Sequence, residues 1–222
     1  MQQYLALIGD LRGSRHIDGR DKAQRQIKAA LEQVNGQYVG LMASRLTLTL
    51  GDEFQALLHP QAQVMRLLDD LQRALRDFPF RLGLGYGGIR TAIDPQLSIG
   101  ADGECFWHAR EALQYVHDND NGGRSMGRVL GYSGLRDELL NGLFQTTDAL
   151  KAAWTDIQRE TFYQMLAHDL YADSFDQQAF AASIGISPSS LSKRLAAGNI
   201  KLYLRTRLLM GRAMEEWHHD PL

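Results

Sequence analysis

Apolar residues recur along the chain with two periods, and the period changes from segment to segment. Tyr4 to Ile8 is a continuous apolar run closed by Gly9-Asp10, the pattern of a buried strand ending in a polar turn. From Asp18 to Val34 the apolar positions Ala23, Ile27, Ala30, Leu31 and Val34 stand three and four apart, which predicts a helix. Leu46 to Leu50 alternates strictly between Leu and Thr. Gly51-Asp52-Glu53 and then Phe54 to Leu58 follow, so two strands about a tight Gly-Asp turn are expected. Pro60 suits a helix start, and Val64, Leu67, Leu68, Leu71 and Leu75 continue that helix. Phe80 to Ile89 reads as a strand with glycines at 83, 85, 87 and 88, a pattern expected where another backbone or a ligand comes close. Helix-compatible sequence runs from Cys105 to His117, Asp118 to Gly123 is a loop, and Arg128 to Leu130 is a last short strand.

The order β-α-β-β-α-β-α-β contains the ferredoxin-like plan β-α-β-β-α-β. After about Tyr132 the strand signals stop, and helices are expected over Leu135–Leu143 and Thr147–Leu170. The prediction is an α+β chain: a ferredoxin-like antiparallel sheet with helices over residues 1–131, then an all-helical domain over 132–222.

Within the second part, residues 175–197 carry a local pattern. Ala181 stands four before Gly185, Ile184 and Ile186 flank that glycine, and Ser187-Pro188 offers a cap and a first helical position. Leu191 and Leu195 give the following helix one apolar face. A small residue at a crossing, a turn glycine and a capped second helix are the parts of a helix-turn-helix. Ser189, Ser190, Lys193 and Arg194 would lie on its exposed face, with Lys201 beyond, and short polar and basic groups suit base edges and phosphates.

Composition narrows the class. Of 222 residues, 44% are apolar and 23% charged, which excludes a disordered, collagen-like or membrane-spanning chain. One cysteine, Cys105, leaves no disulfide framework and no cysteine zinc site, and it reads as a packing residue. Met1-Gln2-Gln3-Tyr4 lacks the basic start of a signal peptide, so a cytoplasmic location is expected. The net charge of −2 hides an asymmetry: Gly185 to Arg212 holds six basic and no acidic residues, leaving 18 basic against 26 acidic elsewhere. A basic segment on an acidic chain points to a local anionic partner. His218-His219 near the end reads as solvated.

Two carboxylates stand in special places. Asp10 ends the first strand, and Asp52 sits in the hairpin turn. In a ferredoxin-like sheet those elements are neighbours, so the two side chains could converge, where they would repel unless a cation lay between them. Mg²⁺ suits such a pair, because it binds through one or two carboxylates, water and substrate phosphates. Backbone N–H groups of Gly13 and Ser14 could approach a phosphate. The alternative from spacing alone is that Asp10 and Asp52 are turn residues.

Ala6 to Arg15 (Ala-Leu-Ile-Gly-Asp-Leu-Arg-Gly-Ser-Arg) resembles the first-strand motif of class III nucleotidyl cyclases. Leu50-Gly51-Asp52-Glu53-Phe54 is similar to their Gly-Asp hairpin and to the Gly-Gly-Asp-Glu-Phe hairpin of diguanylate cyclases. Arg81 to Ile89 looks like their glycine strand, and Ala109-Arg110 like the end of their helix motif. The whole chain resembles the SatD family more closely, with a Gly-Asp-x-x-Gly-Ser start, a Leu-Gly-Asp-Glu-Phe-Gln core and an Ala-Arg-Glu-Ala helix. The cyclase resemblance implies that Asp10 and Asp52 bind Mg²⁺ or Mn²⁺ and that Leu11, Gly13 and Ser14 contact a nucleoside triphosphate. It gives Arg110 the transition-state phosphate. Phe106 stands where cyclases carry an asparagine, which favours binding over turnover. The expected molecule is a homodimeric regulator with a nucleotide-binding palm and a nucleic-acid-binding helix-turn-helix. The other reading is an active Mg-dependent cyclase or nucleotidyltransferase with a helical dimerisation tail.

Overall fold

The computed structural model describes residues 2–13, 19–49, 52–119 and 124–219. The strands are β1 (Gln3–Leu11), β2 (Met42–Leu48), β3 (Glu53–Leu58), β4 (Phe80–Gly88) and β5 (Gly127–Leu130). The first helices are α1 (Arg20–Gln37), α2 (Val64–Ala74) and α3 (Glu104–Asp118), and α4 (Gly134–Ala152) and α5 (Asp156–Ala167) follow β5. The chain then runs through α6 (Gln177–Ser183), α7 (Pro188–Ala197) and α8 (Ile200–His219). The sheet order is β2-β3-β1-β4-β5.

β1 is antiparallel to both β3 and β4, and β2 to β3, as the ferredoxin-like plan requires. β5 departs from the expected antiparallel sheet, because it lies parallel to β4. The helix α3 supplies the long crossover that a parallel pair needs. The strand before the hairpin begins earlier than its Leu-Thr alternation, at Met42, and the helix after Pro60 begins at Val64.

Alternation along β1 divides its side chains between two faces. Leu5, Leu7 and Leu11 enter a core with α1, α2, α4 and the second half of α8; Tyr4, Ala6 and Ile8 meet α3 through Cys105, Phe106 and Ala109. Cys105 is fully buried there, and burial pushes its thiol up to about 11. On β4 the glycines admit α3 itself: a Cβ at Gly85 would stand 1.9 Å from the Cys105 carbonyl oxygen.

The helices expected over Leu135–Leu143 and Thr147–Leu170 are arranged differently. α4 runs unbroken through Leu143–Thr147, and the break falls at Ala153–Thr155. There the Thr155 side chain and Gln158 form a capping box, and the Trp154 indole donates to the Gly198 carbonyl at 2.6 Å. Packing is continuous across residue 131. Tyr132, Leu140, Phe144, Met210 and Met214 belong to the same core as the sheet, while Trp154, Phe162, Phe180, Leu191, Leu195 and Tyr203 form a second cluster. Near the end of α8, His218 bonds the Tyr86 hydroxyl at 3.1 Å instead of facing solvent freely.

A buried ionic cluster joins the two hydrophobic cores. Asp69 on α2 is 0% exposed and accepts from Lys151 at 2.8 Å, Tyr171 at 2.7 Å, Arg207 Nε at 3.3 Å and the Tyr203 hydroxyl. Burial alone would raise its carboxyl, but the charges of Arg207 and Lys151 bring it down to about 2. The neighbouring Asp70 faces α1, where the Tyr38 hydroxyl donates to it at 2.6 Å.

Candidate functional site

Asp10 is the eighth residue of β1, with Glu53 of β3 opposite it on one side and Arg81 of β4 on the other. The Leu11 N–H donates to the Asp52 carbonyl at 3.0 Å, which ties the end of β1 to the hairpin turn. The two residues thus adjoin through the backbone, near enough for the charge of Asp52 to act on the Asp10 carboxyl. Partial burial raises the Asp10 carboxyl above its ordinary value, the Asp52 charge raises it further, and Arg81 opposes both. Arg81 Nε donates to Asp10 at 3.1 Å. Alternation puts the Asp10 side chain on the α3 face with Ala6 and Ile8.

Arg110 reaches the same sheet end from α3. Its guanidinium bonds both oxygens of Glu53, at 3.2 and 3.3 Å, with 61% of the Arg110 side chain exposed. Phe106, one turn earlier, is buried against the sheet. Its ring packs there and presents no polar group to the site. Leu11 is 4% exposed and its N–H is taken by the Asp52 carbonyl, so the expected nucleotide contact at Leu11 has neither side chain nor N–H to offer. Gly13 follows with φ +66°, a left-handed conformation that favours glycine. Ser14 lies outside the described residues. Among the described residues no group of three or more His, Cys, Asp or Glu side chains is arranged to hold a metal ion.

Arg81 and Glu53 are members of the site that motif spacing does not reveal. For Arg81 a signal exists: it is the one charged residue in a strand otherwise made of apolar residues and glycine. Nothing in the spacing, by contrast, pairs Arg110 with Glu53, because that contact joins residues 57 apart.

The expected helix pair is formed by α6 and α7. Asp176 caps α6, Gly185 takes φ +70°, and Ser187 caps α7 by accepting from the Ser190 N–H at 3.2 Å. Ala181, Leu191 and Leu195 are buried. Ser189 and Lys193 are exposed on one side of α7. Ser190 also bonds the capping hydroxyl through its side chain, at 3.0 Å. Arg194 turns the other way, to the Thr161 hydroxyl of α5 at 3.4 Å, and Lys201 sits 5.7 Å over the Phe175 ring. The basic segment is not all surface. Arg207 is 0% exposed and held by Asp69, and Arg205 pairs with Asp173 at 2.8 Å. Charge counted along the chain overstates the positive face, because the compensating acids come from α2 and the loop before α6.

Among the described residues no helix is long and apolar enough to cross a membrane. No curated protein matches the chain. Solved structures that are similar include a bacterial light-regulated adenylyl cyclase (13% identity, 52% of this chain and 71% of that one, TM-score 0.39). The guanylate cyclase domain of RhGC from Catenaria anguillulae in complex with GTP is similar at 12% identity, over 51% of this chain and 72% of that one, with a TM-score of 0.39. The dimeric guanylyl cyclase domain of the RhoGC fusion protein from Blastocladiella emersonii matches at 13% identity, over 51% and 73%, with a TM-score of 0.38. Likeness at this level says nothing of what the chain binds. The SatD family profile, in contrast, matches residues 4–213, nearly the whole length, and the chain belongs to the SatD family.

Proposed function

We propose that this SatD family protein is a regulator that binds a divalent metal and a nucleoside triphosphate at the end of β1 and contacts nucleic acid through α7. What supports the first half is the backbone tie between the end of β1 and Asp52, with the charge of Asp52 acting on the Asp10 carboxyl. The donor set fits Mg²⁺ or Mn²⁺: two carboxylates, one already raised by burial and by the charge of the other, gain from a cation. Such a pair is too few for an all-protein cage and suits an ion completed by water and phosphate oxygens. The bound ion would neutralise phosphate charge. Asp10 and Asp52 would hold it, Arg81 would steady Asp10, and the backbone at Gly13 would face the phosphates; the Leu11 N–H is already given to the Asp52 carbonyl. Arg110, held by Glu53, would swing to a phosphate oxygen when that pair opens. The buried Phe106 favours binding over fast turnover, since losing one transition-state donor costs about 10²–10³ in rate. An active cyclase or nucleotidyltransferase is the other reading.

Calorimetry with Mn²⁺ and each of the four ribonucleoside triphosphates tests this half. Wild type should bind at least one of them, and Asp10→Asn or Asp52→Asn should weaken that binding about tenfold or more, the loss of one charged contact. Binding that survives both substitutions unchanged would place the nucleotide elsewhere.

For the second half, Ser189 and Lys193 on the exposed side of α7 are the contacts of a recognition helix, with Ser190, Arg194 and Lys201 at its margin. Two copies in a cytoplasmic homodimer would read two half-sites. Lys193→Ala should lower the salt slope of DNA binding by about 1, one phosphate contact. An unchanged slope in a titration on the protein's own upstream DNA would leave α6 and α7 as a packing hairpin.

A further inference from the structure

At the sheet end where Asp10 lies, but on the opposite face, there is a cleft of about 320 Å³. Its floor is Leu75, Phe80 and Met126, residues of the core that packs on α2 and α4. Arg12 enters it from the end of β1, Arg76 from α2, Arg124 from the approach to β5 and Arg159 from α5. Among the described residues Arg76, Arg124 and Arg159 make no ion pair. Lys151 also lines the cleft, but its ammonium is committed to Asp69.

Among the described residues the one carboxylate in the wall is Asp148. It accepts from the Met126 and Gly127 N–H groups at 2.8 and 3.4 Å. Burial raises it to about 6 against those hydrogen bonds and the charges of Arg207 and Lys151. Its Oδ2 is engaged by those backbone N–H groups, and among the described residues it forms no ion pair with the guanidinium groups of the cleft. Like charges converging in a partly enclosed space repel, and an anion relieves them. The planar guanidinium fork matches the oxygens of a phosphoryl group two at a time. The Tyr163 hydroxyl is a further polar group on the wall, beside Arg159. A volume of this order admits a small molecule and excludes a duplex.

We propose that this cleft binds a small phosphorylated anion, of the class running from pyrophosphate to a nucleoside polyphosphate, through Arg12, Arg76, Arg124 and Arg159 and without a divalent metal. The site goes beyond the nucleotide site proposed above, because the Asp10 carboxylate lies on the other face of the sheet. Its ligand would bridge the end of β1 and α5. Helix α5 also carries Thr161, the partner of Arg194 on α7, so occupancy of the cleft reaches the helix pair through one rigid element.

The test is calorimetry of the whole chain in EDTA at low salt, with pyrophosphate in one arm and ATP in the other. EDTA silences any site that depends on a divalent ion. Both ligands, or pyrophosphate alone, should bind, and binding should weaken as salt rises. Arg76→Ser/Arg124→Ser should weaken it at least tenfold. Both arginines are exposed, so the melting temperature of the unliganded double variant should match wild type. Asp10→Asn and Asp52→Asn should leave binding in EDTA intact. Absence of binding in wild type, equal binding by the double variant, or loss of binding in Asp10→Asn would overturn the proposal. So would a protein that takes oligonucleotides but neither small ligand.

Discussion

Replacing Asp69 with alanine is expected to remove about 3–5 kcal/mol of stability, because it leaves two cations buried without their counter-charge. Lys151 and Arg207 both bond to Asp69, and the Arg207 side chain is 0% exposed. Tyr171 and Tyr203 lose the acceptor of their hydroxyls at the same time. For a chain of this length the midpoint of thermal unfolding should fall by roughly 10 °C. The cluster joins α2, α4 and α8, so both hydrophobic cores should loosen together. Replacing the ions as a set, with Asp69→Leu, Lys151→Met and Arg207→Met, should recover much of the loss, since a buried ion pair often breaks even against apolar packing. Calorimetric melts of the two variants decide the matter, and equal destabilisation by both would contradict this account.

The same cluster gives a pH signature. The Asp69 carboxyl is held at about 2, below its ordinary 3.8, so its contribution is present above pH 4 and is lost as the pH falls towards 2. Asp148 acts in the opposite sense. Its folded value of about 6 means that its contribution is complete below pH 4 and is lost as the pH rises through 6. The alanine variant at 69 should keep the loss near pH 6 and show less of the acid loss.

The second large effect is expected at Gly85. An alanine there would put its Cβ 1.9 Å from the Cys105 carbonyl oxygen and 2.3 Å from the Ala109 N–H nitrogen. Both are backbone atoms of α3, which cannot rotate aside as a side chain could. The helix must lift from β4 and leave Ala109 and Phe106 partly uncovered. Overpacking commonly costs 1–3 kcal/mol, and the absence of any yielding side chain puts Gly85→Ala at about 3 kcal/mol or more. Gly100→Ala is the comparison, since a Cβ there meets nothing within 4 Å, although its positive φ gives a smaller strain. Hydrogen exchange should show α3 as the first element to lose protection in Gly85→Ala. A melt indistinguishable from wild type would mean that α3 does not rest on this strand as described.

What the chain determines locally is legible in the order of its residues. The apolar run before Asp10, the stripe of α2 and the glycine strand of β4 each depend on contacts that a single element makes along one face, so periodicity reports them. The glycines at 83 and 85 announce a close approach, and the approaching partner is the backbone of α3. Gly185, Ser187 and Pro188 likewise encode a turn and a helix start within a few residues. The tertiary structure decides what depends on residues far apart in the chain. Only folding sets Glu53 across from Asp10 and brings Arg110 to it. Only folding withdraws Arg207 from a basic run to neutralise an aspartate 138 residues earlier. The direction of β5 belongs to the same class, because the short Arg128–Leu130 signal is compatible with either sense of pairing until α3 fixes the crossover. Periodicity records which face of an element is buried; it carries no information about which distant charge will be buried against it, because that choice is made by the desolvation of both groups at once.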